Sequence, residues 1–315
     1  MKEIKSIQEN VGKVNILDTI GNTPLFKLET VTNVLDEVSV YVKAEYFNPS
    51  GSVKDRAAYA MVLDGIKSGR LTKDKTIIDA TSGNTGIAYA MIGAILGYKV
   101  VLCLPENTSD IRKLMLRAYG AQLIETSQLE SSDGAQLKAI ELAKENTDKY
   151  FYPDQYNNDA NWKAHFNGTA PEIWEQTNKK VTHFVAGMGT SGTFVGTSRG
   201  LKHLNPNIKT IAMQPDSPLH GLEGMKHMQS TILPGIYDSS VADYTIEVRT
   251  EDAEEMVLRL AKEEGLFVGI SSGGNVVAAL NLAKTLPKGS VVVTILCDNG
   301  YRYVNDPIWN RGEAF

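Results

Sequence analysis

Cysteine is scarce in this chain of 315 residues: Cys103 and Cys297 are the only two, each inside an apolar, strand-like run. Thiols so placed do not form a disulfide framework, and a chain this long buries a core large enough to need none. Residues 1–6 show no leader with an apolar core, so the expected compartment is the reducing cytoplasm. Basic blocks are missing and the formal net charge is −5, which excludes nucleic acid and anionic membrane as expected partners. Long unbroken apolar runs are missing too. Segments 80–98 and 265–283 carry no charge over about the length of a bilayer span. Gly, Ser, Thr and Asn interrupt both, so each reads instead as a buried strand, a polar glycine-rich turn and a buried helix. No internal repeat, low-complexity tract or Pro/Ser-rich linker marks a domain boundary.

What is present is ordinary in bulk, with 42% hydrophobic and 22% charged residues, and the length suits two domains or one large α/β unit. Runs rich in Val and Ile recur at 38–45, 76–81, 99–105, 122–126, 182–188, 208–214, 267–270 and 291–298. Between most of them lie segments of helical length and period, at 57–67, 111–119, 135–145, 193–204 and 253–264. Apolar strands alternating with helices predict a mostly parallel sheet covered on both faces. Ligands of such sheets sit where a strand ends and a loop leads into a helix.

Four turns of that kind are unusual. They read Asn48-Pro-Ser-Gly-Ser-Val-Lys54-Asp, Thr81-Ser-Gly-Asn-Thr-Gly86, Gly187-Met-Gly-Thr-Ser-Gly-Thr193 and Gly269-Ile-Ser-Ser-Gly-Gly274. One alone would serve as a helix cap. Four converging at one edge of a sheet supply hydroxyls and bare N–H groups in the manner of an anion site. Gly187-x-Gly-x-x-Gly192 also fits a dinucleotide fingerprint, with Asp216 near the place of a ribose partner, which keeps a nicotinamide-dependent oxidoreductase as an alternative. The hydroxyls of Thr190, Ser191 and Thr193 suit a monophosphate better than a pyrophosphate. Lys54 stands at a predicted helix start, whose partial positive charge favours the neutral amine that imine chemistry needs. A phosphate cup with such a lysine indicates pyridoxal phosphate.

These motifs, in this order and spacing, resemble the cysteine synthase and cystathionine β-synthase family of pyridoxal-phosphate enzymes, of the tryptophan-synthase-β type. The resemblance runs from Ile16-Leu-Asp-Thr-Ile-Gly-Asn-Thr-Pro-Leu25 to Cys297-Asp-Asn-Gly-Tyr-Arg-Tyr303. It implies an α/β fold of two interleaved three-layer domains with mostly parallel twisted sheets. Residues 1–48 and 160–315 would form the larger, cofactor-binding domain. Residues 49–159 would form a smaller mobile one carrying Lys54 and the substrate-carboxylate loop.

Carried onto this chain, the resemblance makes Lys54 the imine lysine and the base for the Cα proton. Asn84 would hold the cofactor's 3′-oxygen, Gly189, Thr190, Ser191, Gly192 and Thr193 its phosphate, and Ser271 its pyridine nitrogen. Thr81, Ser82, Thr85 and Gln155 would grip the substrate carboxylate. A hydroxyl at Ser271 need not keep the ring nitrogen protonated, which favours β-elimination over racemisation. The implied reaction is β-replacement through aminoacrylate, making L-cysteine from O-acetylserine or O-phosphoserine and sulfide. The same chemistry run on cysteine or serine would release hydrogen sulfide or water, or make lanthionine or cystathionine. A fourth reading is a binding protein that kept the fold without the reaction.

Departures from the family pattern are few. Ser191 stands where many members have glycine. Lys226 lies in His220-Gly-Leu-Glu-Gly-Met-Lys-His-Met228, about where members that use O-phosphoserine place a cation for the substrate phosphate; a solvated loop lysine is the plainer reading. Tyr237 and Asp238 suit either a second-substrate site or a turn. Asp298-Asn-Gly-Tyr closes a strand near the cofactor ring, and both cysteines are expected to be inert. His165, His183, His203, His220 and His227 show no metal-ligand spacing, so no metal is expected. The haem-binding Cys/His pair of animal cystathionine β-synthases has no counterpart, and no regulatory C-terminal domain is expected. The resemblance further implies a homodimer and leaves open whether a serine acetyltransferase docks against it.

Overall fold

A computed structural model of the chain describes residues 15–81 and 83–314. All but one of the Val- and Ile-rich runs become strands, and among the described residues the strands form two sheets. The six-stranded sheet is ordered β1 (Leu25–Lys27), β2 (Ser39–Ala44), β10 (Val291–Leu296), β7 (His183–Gly187), β8 (Lys209–Pro215), β9 (Tyr244–Val248). The four-stranded sheet is ordered β5 (Gln122–Thr126), β4 (Val100–Pro105), β3 (Thr76–Ala80), β6 (Tyr150–Phe151). Every pairing is parallel except β1 with β2. Strands from near both ends of the chain lie side by side, with Val291 opposite Ser39 and Leu296 opposite Ala44.

Residue choice follows strand position. Central strands such as β4 and β10 are nearly continuous apolar runs because helices cover both faces. The edge strands β5 and β9 alternate with polar residues, since one side remains wet. That dilution, and the two- and three-residue lengths of β6 and β1, are why the hydrophobic pattern did not mark β1, β6 or β9. The run at 267–270 is not a strand. Val268 makes a single bridge to Asn299, and the chain turns at once into the helix Ile270–Ala283.

Both uncharged stretches resolve into strand or bridge, turn and buried helix. The helices Asn84–Leu96 and Ile270–Ala283 are buried on nearly every side, so apolar residues occupy their whole circumference. Among the described residues no helix is long and apolar enough to cross a membrane.

A buried ionic network joins β2 to the helix Lys54–Lys67 and the helix Ala170–Gln176. Arg56 Nε donates to Glu45 Oε2 at 2.7 Å, and its two terminal nitrogens reach Glu172 at 2.7 Å each. Lys43 Nζ meets Glu172 Oε2 at 2.6 Å and the Thr23 carbonyl at 2.5 Å. Burial alone would raise the carboxyls, but the Arg56 charge and hydrogen bonds outweigh it, holding Glu45 below its usual range and Glu172 at about 2. Such a network stabilises only while complete, because a lone buried charge is expensive. Arg56→Ala should therefore lower the unfolding free energy by about 3–5 kcal/mol, measured by urea denaturation at neutral pH. Depressed carboxyls contribute stability above their ordinary pKa of 4.5 and lose it as pH falls towards the folded value. The gap between wild type and variant should thus narrow below that pH.

Candidate active site

Lys54 occupies the first turn of the helix Lys54–Lys67, after a loop held by hydrogen bonds at both ends. Asp55 accepts from the Ser50 N–H at 2.6 Å and from the Ser50 hydroxyl, while Arg302 donates to the Ser50 carbonyl. Burial pushes Asp55 up to about 6. Val53 N–H reaches the Cys297 carbonyl at 2.8 Å, and Ser52 bridges to Asp298. These contacts pin the lysine against the carboxyl end of β10.

There Lys54 lines a pocket together with Gly189, Thr190, Ser191, Gly192, Thr193, Gly224, Asn275 and Cys297. Gly189 and Gly192 are required by space. A Cβ on Gly189 would collide with the Gly224 carbonyl oxygen, and one on Gly192 with the Asn161 carboxamide. Ser191 sits at φ 69°, in the left-handed region, which explains why glycine is common at this place. Its hydroxyl is buried without a partner. An orphaned buried hydroxyl, two forced glycines and the start of the 13-residue helix Gly192–Leu204 make a cradle that fits a phosphate.

Sequence reasoning named the turn but not its supports. Thr190 receives a hydrogen bond from Asn161 Nδ2 at 3.1 Å, and the same amide donates to the Gln155 carbonyl at 2.7 Å. Thr193 Oγ1 lies 3.3 Å from His165 Nε2, whose other nitrogen contacts Thr169 Oγ1 at 2.9 Å. Burial lowers His165 to about 3, so it stays neutral there. Asn275 ties the end of β7 to that of β10, accepting from Gly187 N–H at 2.7 Å and donating to the Ile295 carbonyl at 2.8 Å. The only sequence signal for Asn161 was its place at the end of an Asn-rich run, within the helix Asp159–Ala164.

The four turns do not share one sheet edge, as the sequence reading had it. Thr81 to Gly86 follow β3 of the four-stranded sheet, while the 187–193 turn follows β7 of the six-stranded one. The first is joined to the six-stranded side through Asn84, whose Nδ2 donates to Asp298 Oδ2 at 2.7 Å. Tyr303 OH reaches the same oxygen at 2.6 Å. Asp298 Oδ1 has no partner, and burial raises this carboxyl. Ser271 is buried at the start of the helix Ile270–Ala283 beside Cys297, whose thiol Asn275 contacts at 3.4 Å. Cys297 thus faces the cavity one residue past β10, whereas Cys103 lies inside β4; burial holds both thiols at about 11.

Thr85 Oγ1 donates to Gln155 Oε1 at 3.2 Å, and the Gly83 N–H donates to Thr81 Oγ1 at 3.2 Å. Ser82 lies outside the described residues. Lys226 is set apart. Its N–H donates to the Met188 carbonyl at 2.8 Å, but its side chain lines a second cavity with Tyr156, Ser230 and Thr231. Its Nζ donates to Thr231 Oγ1 at 3.1 Å and stands 5.2 Å from the Tyr156 ring centre. Asp238 is taken up by Arg199 at 2.8 Å and caps the following turn through the Ser240 N–H, which is the turn role.

The lysine beside a phosphate cradle defines a site for pyridoxal phosphate, and residues 16–298 match the family of pyridoxal-phosphate dependent enzymes, to which this chain belongs. Within it, the chain is 49% identical to a cysteine synthase of Aquifex aeolicus, over 95% of this chain and 93% of that one. The crystal structure of a cysteine synthase from Entamoeba histolytica superposes with a TM-score of 0.90 at 38% identity, covering 94% of this chain and 90% of that chain. An O-acetylserine dependent cystathionine β-synthase from Helicobacter pylori gives 0.87 at 36% identity, covering 94% and 98%.

The cradle makes two opposite demands that substitution separates. Ser191→Gly should raise the stability of the cofactor-free chain by about 1 kcal/mol, by relieving the left-handed backbone. Gly189→Ala should instead abolish retention of pyridoxal phosphate, read as loss of near-visible absorbance after gel filtration of a chain that remains folded by circular dichroism.

Proposed function

We propose that this enzyme makes L-cysteine by β-replacement, from O-acetylserine or O-phosphoserine and sulfide. The observation that carries the reading is Lys54 on one wall of a cavity whose other wall is the 189–193 phosphate cradle, in a chain so similar to cysteine synthases. Bound pyridoxal phosphate supplies an electron sink that acidifies the substrate's Cα–H and lets the β-substituent leave. Lys54 is the base that removes the Cα proton and later returns it. Gly189, Thr190, Ser191, Gly192 and Thr193 hold the phosphate, Asn84 and Ser271 orient the ring, and Thr81, Ser82, Thr85 and Gln155 hold the amino acid's carboxylate. A neutral hydroxyl at Ser271 steers the chemistry toward loss of the β-substituent.

In this reading residues 49–159 form the smaller, mobile domain, and residues 1–48 with 160–315 the larger. Closure on the bound carboxylate excludes water from the reacting carbon. The scarce cysteines support a cytoplasmic enzyme and family resemblance a homodimer, with a serine acetyltransferase the candidate docking partner. Release of hydrogen sulfide from cysteine, or cystathionine synthesis, is the second reading. Cystathionine synthesis is favoured by the likeness to the Helicobacter pylori enzyme and differs in the nucleophile that attacks the β-carbon, whereas hydrogen sulfide release differs in the group that leaves it.

The purified protein should be yellow, its near-visible absorption bleached by borohydride with the cofactor fixed to Lys54. A colourless protein that binds a nicotinamide cofactor would sink the proposal. Lys54→Ala should cut turnover roughly 10³-fold or more without unfolding the chain. Assaying O-acetylserine, O-phosphoserine, serine and cysteine separately, each with sulfide and with homocysteine, separates the two readings. Lys226→Ala should raise the KM for O-phosphoserine alone if its ammonium meets the substrate phosphate.

A further inference from the structure

Behind the proposed carboxylate grip lies a buried acid that the mechanism leaves unused. Asp79, near the end of β3, is 1% exposed. Its Oδ1 accepts from the Ala80 N–H at 2.7 Å and its Oδ2 from Gln155 Nε2 at 3.4 Å. The Tyr89 hydroxyl of the helix Asn84–Leu96 lies close enough to favour its charged form. On its far side Gln155 accepts from Thr85 Oγ1. One carboxyl therefore gathers β3, the helix that begins at Asn84 and the segment after β6, immediately beneath two residues that meet the substrate.

A glutamine amide has a donor end and an acceptor end, and its neighbours decide which points where. The Asp79 oxygen takes an Nε2 hydrogen, so Oε1 turns to Thr85 and the second Nε2 hydrogen is left for a substrate carboxylate. We propose that Asp79 is a positioning residue for the amino-acid substrate, holding the Gln155 amide in its binding orientation and making substrate affinity depend on pH through its own charge. The inference rests on the reading of Thr85 and Gln155 as the carboxylate grip.

The surroundings set the sign. Asp154, Tyr152 and Tyr156 face Asp79 from the segment after β6, Tyr89 from the helix and Cys103 from β4, with Lys138 acting on Cys103 beyond it. Burial pushes Asp79 up to about 7, and the Asp154 charge adds to the rise. An arriving substrate carboxylate adds another negative charge nearby and raises it further, so substrate binds better when Asp79 carries its proton. Protonated, Asp79 still offers Gln155 one acceptor oxygen. Affinity should fall as pH rises through about 7, and binding near that pH should take up protons.

The test uses the holoenzyme. The KM for O-acetylserine in wild type, divided by that in Asp79→Asn, should climb about 3- to 10-fold between roughly pH 6 and pH 8, as expected for up to a unit of coupled shift. Calorimetry of L-alanine binding near pH 7, in two buffers of different ionisation enthalpy, should show larger proton uptake by wild type than by Asp79→Asn. Asp79→Glu, which restores an acid, should restore uptake. A flat KM ratio with equal proton uptake overturns the inference. If Asp79→Asn does not fold, Tyr89→Phe decides. Removing a hydroxyl that favours the charged form should move the uptake maximum to higher pH, and an unmoved maximum overturns the role. Alanine has no leaving group, so its calorimetry tests Asp79 whichever serine derivative the enzyme uses, and separately from any failure of the β-replacement reading.

Discussion

Arg56 lies two residues beyond Lys54 with its guanidinium almost wholly out of water, and the placement of the lysine depends on that burial. A charge so placed must be met on every side. Glu45 at the end of β2 and Glu172 on the helix Ala170–Gln176 meet it, and Lys43 and Thr23 complete the set. The helix start is thereby locked in azimuth and depth against the six-stranded sheet. Asp55, facing the other way, closes the preceding loop on Ser50. Between these two fixed neighbours Lys54 has one direction left, towards the phosphate cradle.

The cradle is built by the opposite means. Its turn contains few contacts of its own and relies on tight approach, with backbone placed where Gly189 and Gly192 leave no room for a side chain. Asn161, His165 and Asn275 hold it from outside through single hydrogen bonds. Each is buried or nearly so, where an unmade hydrogen bond costs more than a made one gains. Asp298 performs the same service between the two sheets, taking the Asn84 amide from one and Tyr303 from the other.

Much of this was legible in the residues. The strands β2, β3, β4, β5, β7, β8 and β10 were evident because Val and Ile concentrate where both faces of a parallel sheet are covered. Lys54 and the 187–193 turn were evident because anion sites use a small vocabulary of Gly, Ser and Thr at helix starts. The edge strands β1, β6 and β9 were not, being too short or too polar for a periodic signal. Val268 was misleading, because an apolar run entering a buried helix has the composition of a strand. Asp79, Asp298, Asn161 and Arg56 gave no hint of partners, since nothing in a local pattern distinguishes a buried polar residue from a solvated one.

By itself, then, the order of residues determined the fold class and the cofactor chemistry, for these depend on local pattern, periodicity and the composition of single turns. Only the tertiary structure decided that the glycine-rich turns come from two sheets rather than one, that Lys226 faces a separate cavity, and that a buried carboxyl stands behind Gln155. Each of these rests on contacts between residues far apart in the chain, some 70 to 214 positions in the cases of Thr85 with Gln155 and Asn84 with Asp298. Such contacts are fixed by how helices and sheets share space, and that is settled when the chain packs.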